Sequence, residues 1–383
     1  MQLDGVARVL TFLIGLPRDT FAGTACIVGT GLLMVFYAGA GGMRTTSLIQ
    51  IVKAVALLVL TAAMAMWVLY RFHGDAGELL HAAMSGSGLG THYLLPGNLD
   101  GDTTTSMWSA ISLHVTVLFS TAGLPHVIMR LYAAPTPKSA RSAARWATAA
   151  SFAICVMAAF IGLGASALVG RRQLLATDST GAASILLLAR ELDTSGLLLA
   201  LLACVIFITA LATVAGLTLA AASSAAHDLF AHALHRGRTT DTDELSAARW
   251  AATGIGTSAI ALACAAQSWN LEVLSVVALT IAASAITPVL VYALFWPRFT
   301  RTGALWVLYG STALVLLLIT FSPQISGSPT AVFPHLHLDR FPLTAPGVIT
   351  IPTGFALGWL GSIVGGAARP GAGRVAAGIP TRG

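Results

Sequence analysis

Beyond residue 20 the chain alternates long apolar runs with short polar interruptions. The runs fall near residues 21–40, 46–70, 107–130, 147–169, 197–228, 249–268, 272–296, 303–322 and 347–365. Each approaches or exceeds about 18 residues, enough for a helix to cross a hydrocarbon core of roughly 30 Å. A membrane barrel would instead show roughly ten-residue segments of alternating polarity. The pattern predicts an all-α polytopic membrane protein with about nine transmembrane helices. The tryptophans, from Trp67 to Trp359, sit at or near the ends of these runs, as an aromatic belt at the headgroups requires.

The segments between the runs differ in kind. The loop over 71–106 contains "GDAGELL" and "LPGNLDGDTTT", turn-prone and acidic, with room for one short interfacial helix. In the loop 170–196, "AASILLLARELD" has the apolar spacing of a helix packed on the bundle. Segment 229–248 continues a helix, turns at Gly237 and restarts at a cap formed by Thr242 ahead of Asp243 and Glu244. Residues 366–383, "GAARPGAGRVAAGIPTRG" from Gly366, are rich in Gly and Arg and are expected to form a disordered tail.

Composition agrees with lipid as the main solvent: 56% of residues are hydrophobic, 9% are charged and the mean hydropathy is +0.81. Loop charge then gives an orientation. With loops numbered alternately, one side collects thirteen Lys and Arg, including Arg130, Lys138, Arg141 and Arg145, and the other seven. The positive-inside rule makes the richer side cytoplasmic, with the N-terminus outside and the C-terminus inside. The net charge of +6 thus reports topology, and no loop joins basic clusters to aromatics as a nucleic-acid surface would. Cys26, Cys155, Cys204 and Cys264 lie within runs without metal or redox spacing and read as packing residues.

Intramembrane hydrolysis and ATP-driven pumping find no residues to carry them. No carboxylate lies well inside a run; Asp228 and Glu272 stand at edges, and His227 with Asp228 reads as a solvated helix end. HExxH, GxSxG, Walker A and a strand-borne GxGxxG are all missing, so no enzyme activity is expected. The polar residues inside runs are few: Gln50 and Lys53, His114 with the 120–126 cluster, Thr209, Thr213 and Thr218, Thr280, Ser284 and Thr287, and Thr350 and Thr353. Most such hydroxyls only bond back to their own turn. Lys53, about five residues inside its run, is placed to snorkel toward the interface.

The third run departs from this pattern at "STAGLPH", Ser120 to His126. Pro125 removes an amide hydrogen and clashes with the carbonyl four residues back, while Gly123 lets the chain leave helical geometry cheaply. In a bilayer the freed backbone groups need protein, water or ligand as partners. Two readings stand on these residues alone. One is a proline kink that shapes packing; the other is an interrupted helix lining a transport site.

Four motifs together add a resemblance. "STAGLPHVIMRLY" followed by a basic loop, "AGAGGMRTTSLIQIVKAVALLV" over 38–59, "TVAGLTLAAASSAAHDLF" over 213–230 and "FWPRFTRTGAL" over 295–305 resemble the sodium:solute symporter family, in its cation/acetate symporter branch. The resemblance implies part of a LeuT-like core of two inverted five-helix repeats. Residues 1–20 would be an external segment trailing a missing span, and 21–70 the last two helices of repeat 1. Residues 71–106 would be an external loop, 107–296 the five helices of repeat 2, and 297–365 two accessory helices. The family's first four spans would have to come from upstream sequence or from a separate chain.

By the same resemblance, Ser120, Thr121, Gly123, Leu124, Pro125 and His126 form the substrate site, with Leu124 and His126 facing the gap beside the break. Thr213 falls at a sodium-ligand hydroxyl and Thr209 at a carbonyl ligand one turn earlier. Ala212 stands where the family has a second hydroxyl, so either Na+ or a proton remains open as the coupling ion. The implied function is cation-coupled symport of a small monocarboxylate such as acetate across the plasma membrane, with no cofactor beyond that ion. The rival implication is a non-transporting remnant or sensor-type module of the same fold.

Overall fold

The computed structural model describes residues 2–16, 21–95, 103–132, 134–177, 183–236, 239–267, 269, 271–327 and 331–366, with side chains at 38–47, 103, 130–132, 241 and 271–272 left aside. In chain order the helices are α1 (Gln2–Ile14), α2 (Phe21–Arg71), α3 (Ala76–Ser87), α4 (Thr103–Gly123), α5 (Pro125–Tyr132), α6 (Pro137–Leu168), α7 (Arg171–Thr177) and α8 (Ser184–Leu192). There follow α9 (Leu197–Ser224), α10 (Asp241–Ala265), α11 (Leu271–Ile281), α12 (Thr287–Phe295), α13 (Arg301–Leu305), α14 (Thr312–Thr320) and α15 (Gly347–Val364). Wider π turns continue α9 over Ala225–Leu234, join α11 to α12 over Ala282–Ile286, and join α13 to α14 over Trp306–Ser311.

Among the described residues, seven helical stretches are long and apolar enough to cross a membrane: Leu48–Arg71, Thr104–Met129, Pro137–Leu168, Leu197–Leu234, Val273–Phe295, Arg301–Thr320 and Gly347–Val364. The other two expected spans are also helical. Phe21–Tyr37 is apolar but short, and the span expected at 249–268 belongs to α10, which opens on Asp241, Asp243 and Glu244 and is built mainly from small residues. The expected turn between the first two spans does not interrupt the helix. With no proline from Phe21 to Arg71, helical geometry runs through the whole of α2.

The chain divides into two compact units, one of residues 1–95 and 129–271, the other of 96–128 and 272–383. In the first, α2 packs on α1, α6, α9 and α10. One core gathers Met64, Val68, Ile161, Leu188 and Leu202; a second joins Leu3 and Ala7 to Ile27, Ile260 and Ala263. The surface helix expected in loop 170–196 is α8, which buries Leu186, Leu187, Leu188 and Leu192. The one expected in loop 71–106 is α3, capped by Asp75, whose carboxylate accepts from the amides of Gly77 and Glu78. His227 and Asp228 are exposed at the end of the α9 run, where His227 Nδ1 lies 2.7 Å from Glu244 Oε1. The cap of α10 lies two residues before the expected one. Thr240 accepts from the Asp243 amide at 3.3 Å, and Asp243 accepts from the Thr240 amide at 3.2 Å, a reciprocal pair that Thr242 is too late in the turn to make. Gly237, the "PGNLDGD" stretch and the tail beyond Gly366 lie outside the described residues.

In the second unit α4 and α15 pack against the α11–α12 run, and α13–α14 packs on α15. Val276, Val315, Ile319 and Ala345 form its apolar core. A row of fully buried hydroxyls stands beside that core: Ser112, Thr116, Ser120, Thr280, Ser284, Ser311 and Thr350. Small polar side chains let helix backbones approach closely in lipid, and several of these reach across helices. Ser112 donates to the Ala345 carbonyl and accepts from the Val348 amide at 3.1 Å, while Ser284 and Thr350 lie 2.7 Å apart.

Candidate functional site

The third apolar run is broken where the residues demanded. α4 ends at Gly123, Leu124 is not helical, and Pro125 opens α5. The Leu124 carbonyl turns to serve the new helix, accepting from the amides of Val127 at 3.0 Å and Ile128 at 3.2 Å. Proline is at home in a first helical turn, where its missing N–H would have no intrahelical partner anyway. A second interruption lies opposite, the π turn Ala282–Ile286, itself followed by Pro288.

Contact between the two interruptions is close. A Cβ added at Gly123 would collide with the Ala282 carbonyl oxygen and lie 2.5 Å from Thr287 Oγ1. The Thr287 hydroxyl lies within donating distance of the Phe119 carbonyl at 2.7 Å and the Ala282 carbonyl at 3.2 Å, so one hydroxyl serves acceptors on both irregular helices. On the far side of the π turn, a Cβ at Gly354 of α15 would collide with the Ser284 carbonyl and come 3.1 Å from Ser311 Oγ, a buried hydroxyl with no partner among the described residues.

The six expected substrate residues do not share one face. Ser120 is buried and donates to the Val117 carbonyl at 2.9 Å; Thr121 is exposed and donates to the Leu118 carbonyl at 2.7 Å. Gly123 is buried against the π turn, Leu124 and His126 are half-buried, and Pro125 is exposed. Leu124 and His126 thus flank the break, whereas the two hydroxyls are spent on their own helix.

The expected cation residues lie in the other unit, and Lys53 joins them. Thr213 Oγ1 donates to the Thr209 carbonyl at 2.7 Å and accepts from Lys53 Nζ at 2.8 Å. One turn before Lys53, the Gln50 amide donates to the Ala212 carbonyl at 2.6 Å. Thr209 Oγ1 is buried without a hydrogen-bond partner among the described residues. Lys53 is half-buried and reaches across to α9, rather than out along its own helix as a snorkelling lysine would. The spacing held a signal for this contact: Gln50 and Lys53 are three apart, Thr209 and Thr213 four apart, so each pair lies on one helical face. Among the described residues no three His, Cys, Asp or Glu side chains group to hold a metal.

Long apolar helices, paired interruptions and a polar seam confined to small hydroxyls define a helical membrane transporter of the broken-helix kind. Comparison with known proteins agrees. The sodium:solute symporter family model matches residues 1–310, and the chain belongs to that family. It is 35% identical over 375 residues to the "Monocarboxylic acid transporter" of Corynebacterium glutamicum, covering 95% of this chain and 68% of that one. It is also 35% identical over 364 residues to the "Uncharacterized symporter YwcA" of Bacillus subtilis, covering 95% of this chain and 69% of that one. A Na+-coupled sialic acid symporter solved in a substrate-bound outward-open state shares the fold, with a TM-score of 0.62 and 15% identity over 96% of this chain and 71% of that one. The chain is therefore a multi-pass membrane protein of a solute symporter family with a LeuT-like fold.

Proposed function

We propose that the chain takes part in cation-coupled symport of a small monocarboxylate, acetate being the simplest case, across the plasma membrane, with its N-terminus outside and its C-terminus cytoplasmic. The observation that carries this reading is the interruption at Leu124, flanked by a half-buried leucine and a half-buried histidine. A carboxylate needs a hydrogen-bond donor and positive potential; Pro125 has no N–H and the Val127 and Ile128 amides serve the Leu124 carbonyl, so the helix start supplies the potential and the His126 side chain would supply the donor. α5 begins at this point, with the His126 imidazole in its first turn. The remainder of a short monocarboxylate is a methyl or ethyl group, which asks only for an apolar neighbour such as Leu124. Sugars and amino acids would need further polar groups to satisfy their own. The 35% identity to a protein named a monocarboxylic acid transporter points the same way.

The test is uptake of radiolabelled acetate into proteoliposomes containing the full chain. Saturable uptake that propionate inhibits and glucose or alanine does not is expected, and His126→Ala should reduce it about tenfold or more, the loss of one charge-assisted hydrogen bond. No uptake, or equal inhibition by a neutral sugar, would sink the assignment.

A further inference from the structure

The contact between Lys53 and Thr213 bears on which ion the chain handles. Thr213 Oγ1 is the hydroxyl that would face a coupling cation, and it has one hydrogen and two lone pairs. The hydrogen is committed to the Thr209 carbonyl at 2.7 Å, so toward any further neighbour the oxygen can only accept. The neighbour present is Lys53 Nζ at 2.8 Å. A Na+ ion asks of its site several oxygen atoms at short range, as hard cations do. Here the Thr209 carbonyl holds the Thr213 hydroxyl, and the Ala212 carbonyl holds the Gln50 amide at 2.6 Å. The lysine therefore brings its own positive charge to the place where a free cation would find its oxygens.

We propose that Lys53 is a tethered cation: its ammonium occupies the place between α2 and α9 offered by the oxygens of Thr209 and Thr213, and excludes Na+ from it. A second observation fits. Among the described residues Thr209 Oγ1 is buried with no hydrogen-bond partner, one turn from Thr213, an oxygen left over that a small ion could use. The inference deepens the symport reading and rests on it for its meaning. It makes Lys53 the residue that decides ion specificity, and Gln50 the residue that positions the neighbouring carbonyl. Removing the charge should create a sodium response that the natural chain lacks. Two like charges on one oxygen repel.

The experiment uses Na+ itself as the probe on the purified full chain in detergent, and needs no substrate. Melting temperature and retention of radiolabelled Na+ are measured against choline at constant ionic strength. Wild type should retain no saturable Na+ and melt independently of it. Lys53→Ala should acquire saturable Na+ retention and a melting temperature that rises with Na+, and adding Thr213→Val should abolish both. Lys53→Met, which keeps most of the stem, gives the same reading should the alanine variant fold poorly. Saturable Na+ retention by wild type that Thr213→Val removes would overturn the proposal, as would folded Lys53→Ala and Lys53→Met proteins that both ignore Na+. Acetate uptake into proteoliposomes separates the two claims. Absent uptake with the expected Na+ results ends the symport reading alone, and Na+-driven uptake lost in Thr213→Val ends the tethered-cation reading alone.

Discussion

Replacing Gly123 by alanine tests whether the two interruptions of the second unit are fitted to each other. The added Cβ would collide with the Ala282 carbonyl oxygen, stand 3.1 Å from that residue's carbonyl carbon, and stand 2.5 Å from Thr287 Oγ1. Two of these three atoms are backbone, so no rotamer change relieves them. The third is a hydroxyl held at 2.7 Å from the Phe119 carbonyl. Overpacking of this kind costs about 1–3 kcal/mol. Displacing the Thr287 hydroxyl adds about 1 kcal/mol for one lost hydrogen bond. Against these stands the helix propensity gained from Gly to Ala, about 1 kcal/mol. The balance is a destabilisation of about 1–3 kcal/mol, because the propensity gain offsets only the hydrogen bond. The assay is thermal unfolding of the full chain in detergent, with Gly162→Ala as the companion. Nothing lies within 4 Å of a Cβ at Gly162 in α6, so that variant collects the propensity gain alone and should melt at or above wild type. The double variant Gly123→Ala/Thr287→Ala, which takes away the hydroxyl facing the new methyl, should recover part of the loss. A Gly123→Ala protein as stable as Gly162→Ala would refute the close packing of the π turn on the broken helix.

The remaining predictions concern polar groups one at a time. Thr287→Val keeps the shape but withdraws the hydroxyl from the Phe119 and Ala282 carbonyls, and should cost about 1–2 kcal/mol of thermal stability, most of it restored in Thr287→Ser; equal melting of the valine and serine variants would contradict it. Asp193, outside the spans, accepts from the Leu198 amide at 2.9 Å and from the Ser195 amide and hydroxyl, which hold its carboxyl below the ordinary carboxylate value. A depressed folded pKa gives stability that is complete above the unfolded value, about 3.9, and is lost as pH falls through the folded one. Melting followed from pH 6 downward should therefore show an acid decline below pH ~4 that Asp193→Asn flattens. A variant with the same acid limb as wild type would remove Asp193 from that role.

How much of this could be read from residues follows from how local each cause is. The break at Leu124 was legible because proline's missing N–H and glycine's freedom act on their own turn, whatever surrounds them. What covers the break was not. Thr287 stands 168 residues beyond Phe119 in the chain, and the π turn at Ala282–Ile286 depends on packing that no local pattern encodes. The cap of α10 is a smaller case: Thr240 and Thr242 compete, and the winner is the one three residues before a carboxylate that can answer it. Helix α2 was misjudged for the opposite reason. Gly39, Gly41 and Gly42 with Arg44 look like a turn, but glycine only permits a departure from the helix and does not require one as proline does.

The same distinction explains the lysine. A charged side chain in an apolar run has two inexpensive outcomes, reaching back to the interface along its own helix or meeting polar atoms on a neighbour. The run itself carries information only about the first. The second depends on which helix lies alongside, and once α9 does, the choice is settled by arithmetic of donors and acceptors: Thr213 has a lone pair to offer and Lys53 has hydrogens to give. Lipid supplies no competing partner for either. Polar residues that seem isolated in a membrane sequence therefore serve best as halves of pairs to be matched between helices by their spacing. In this chain, Gln50 with Lys53 and Thr209 with Thr213 are the spacings that match.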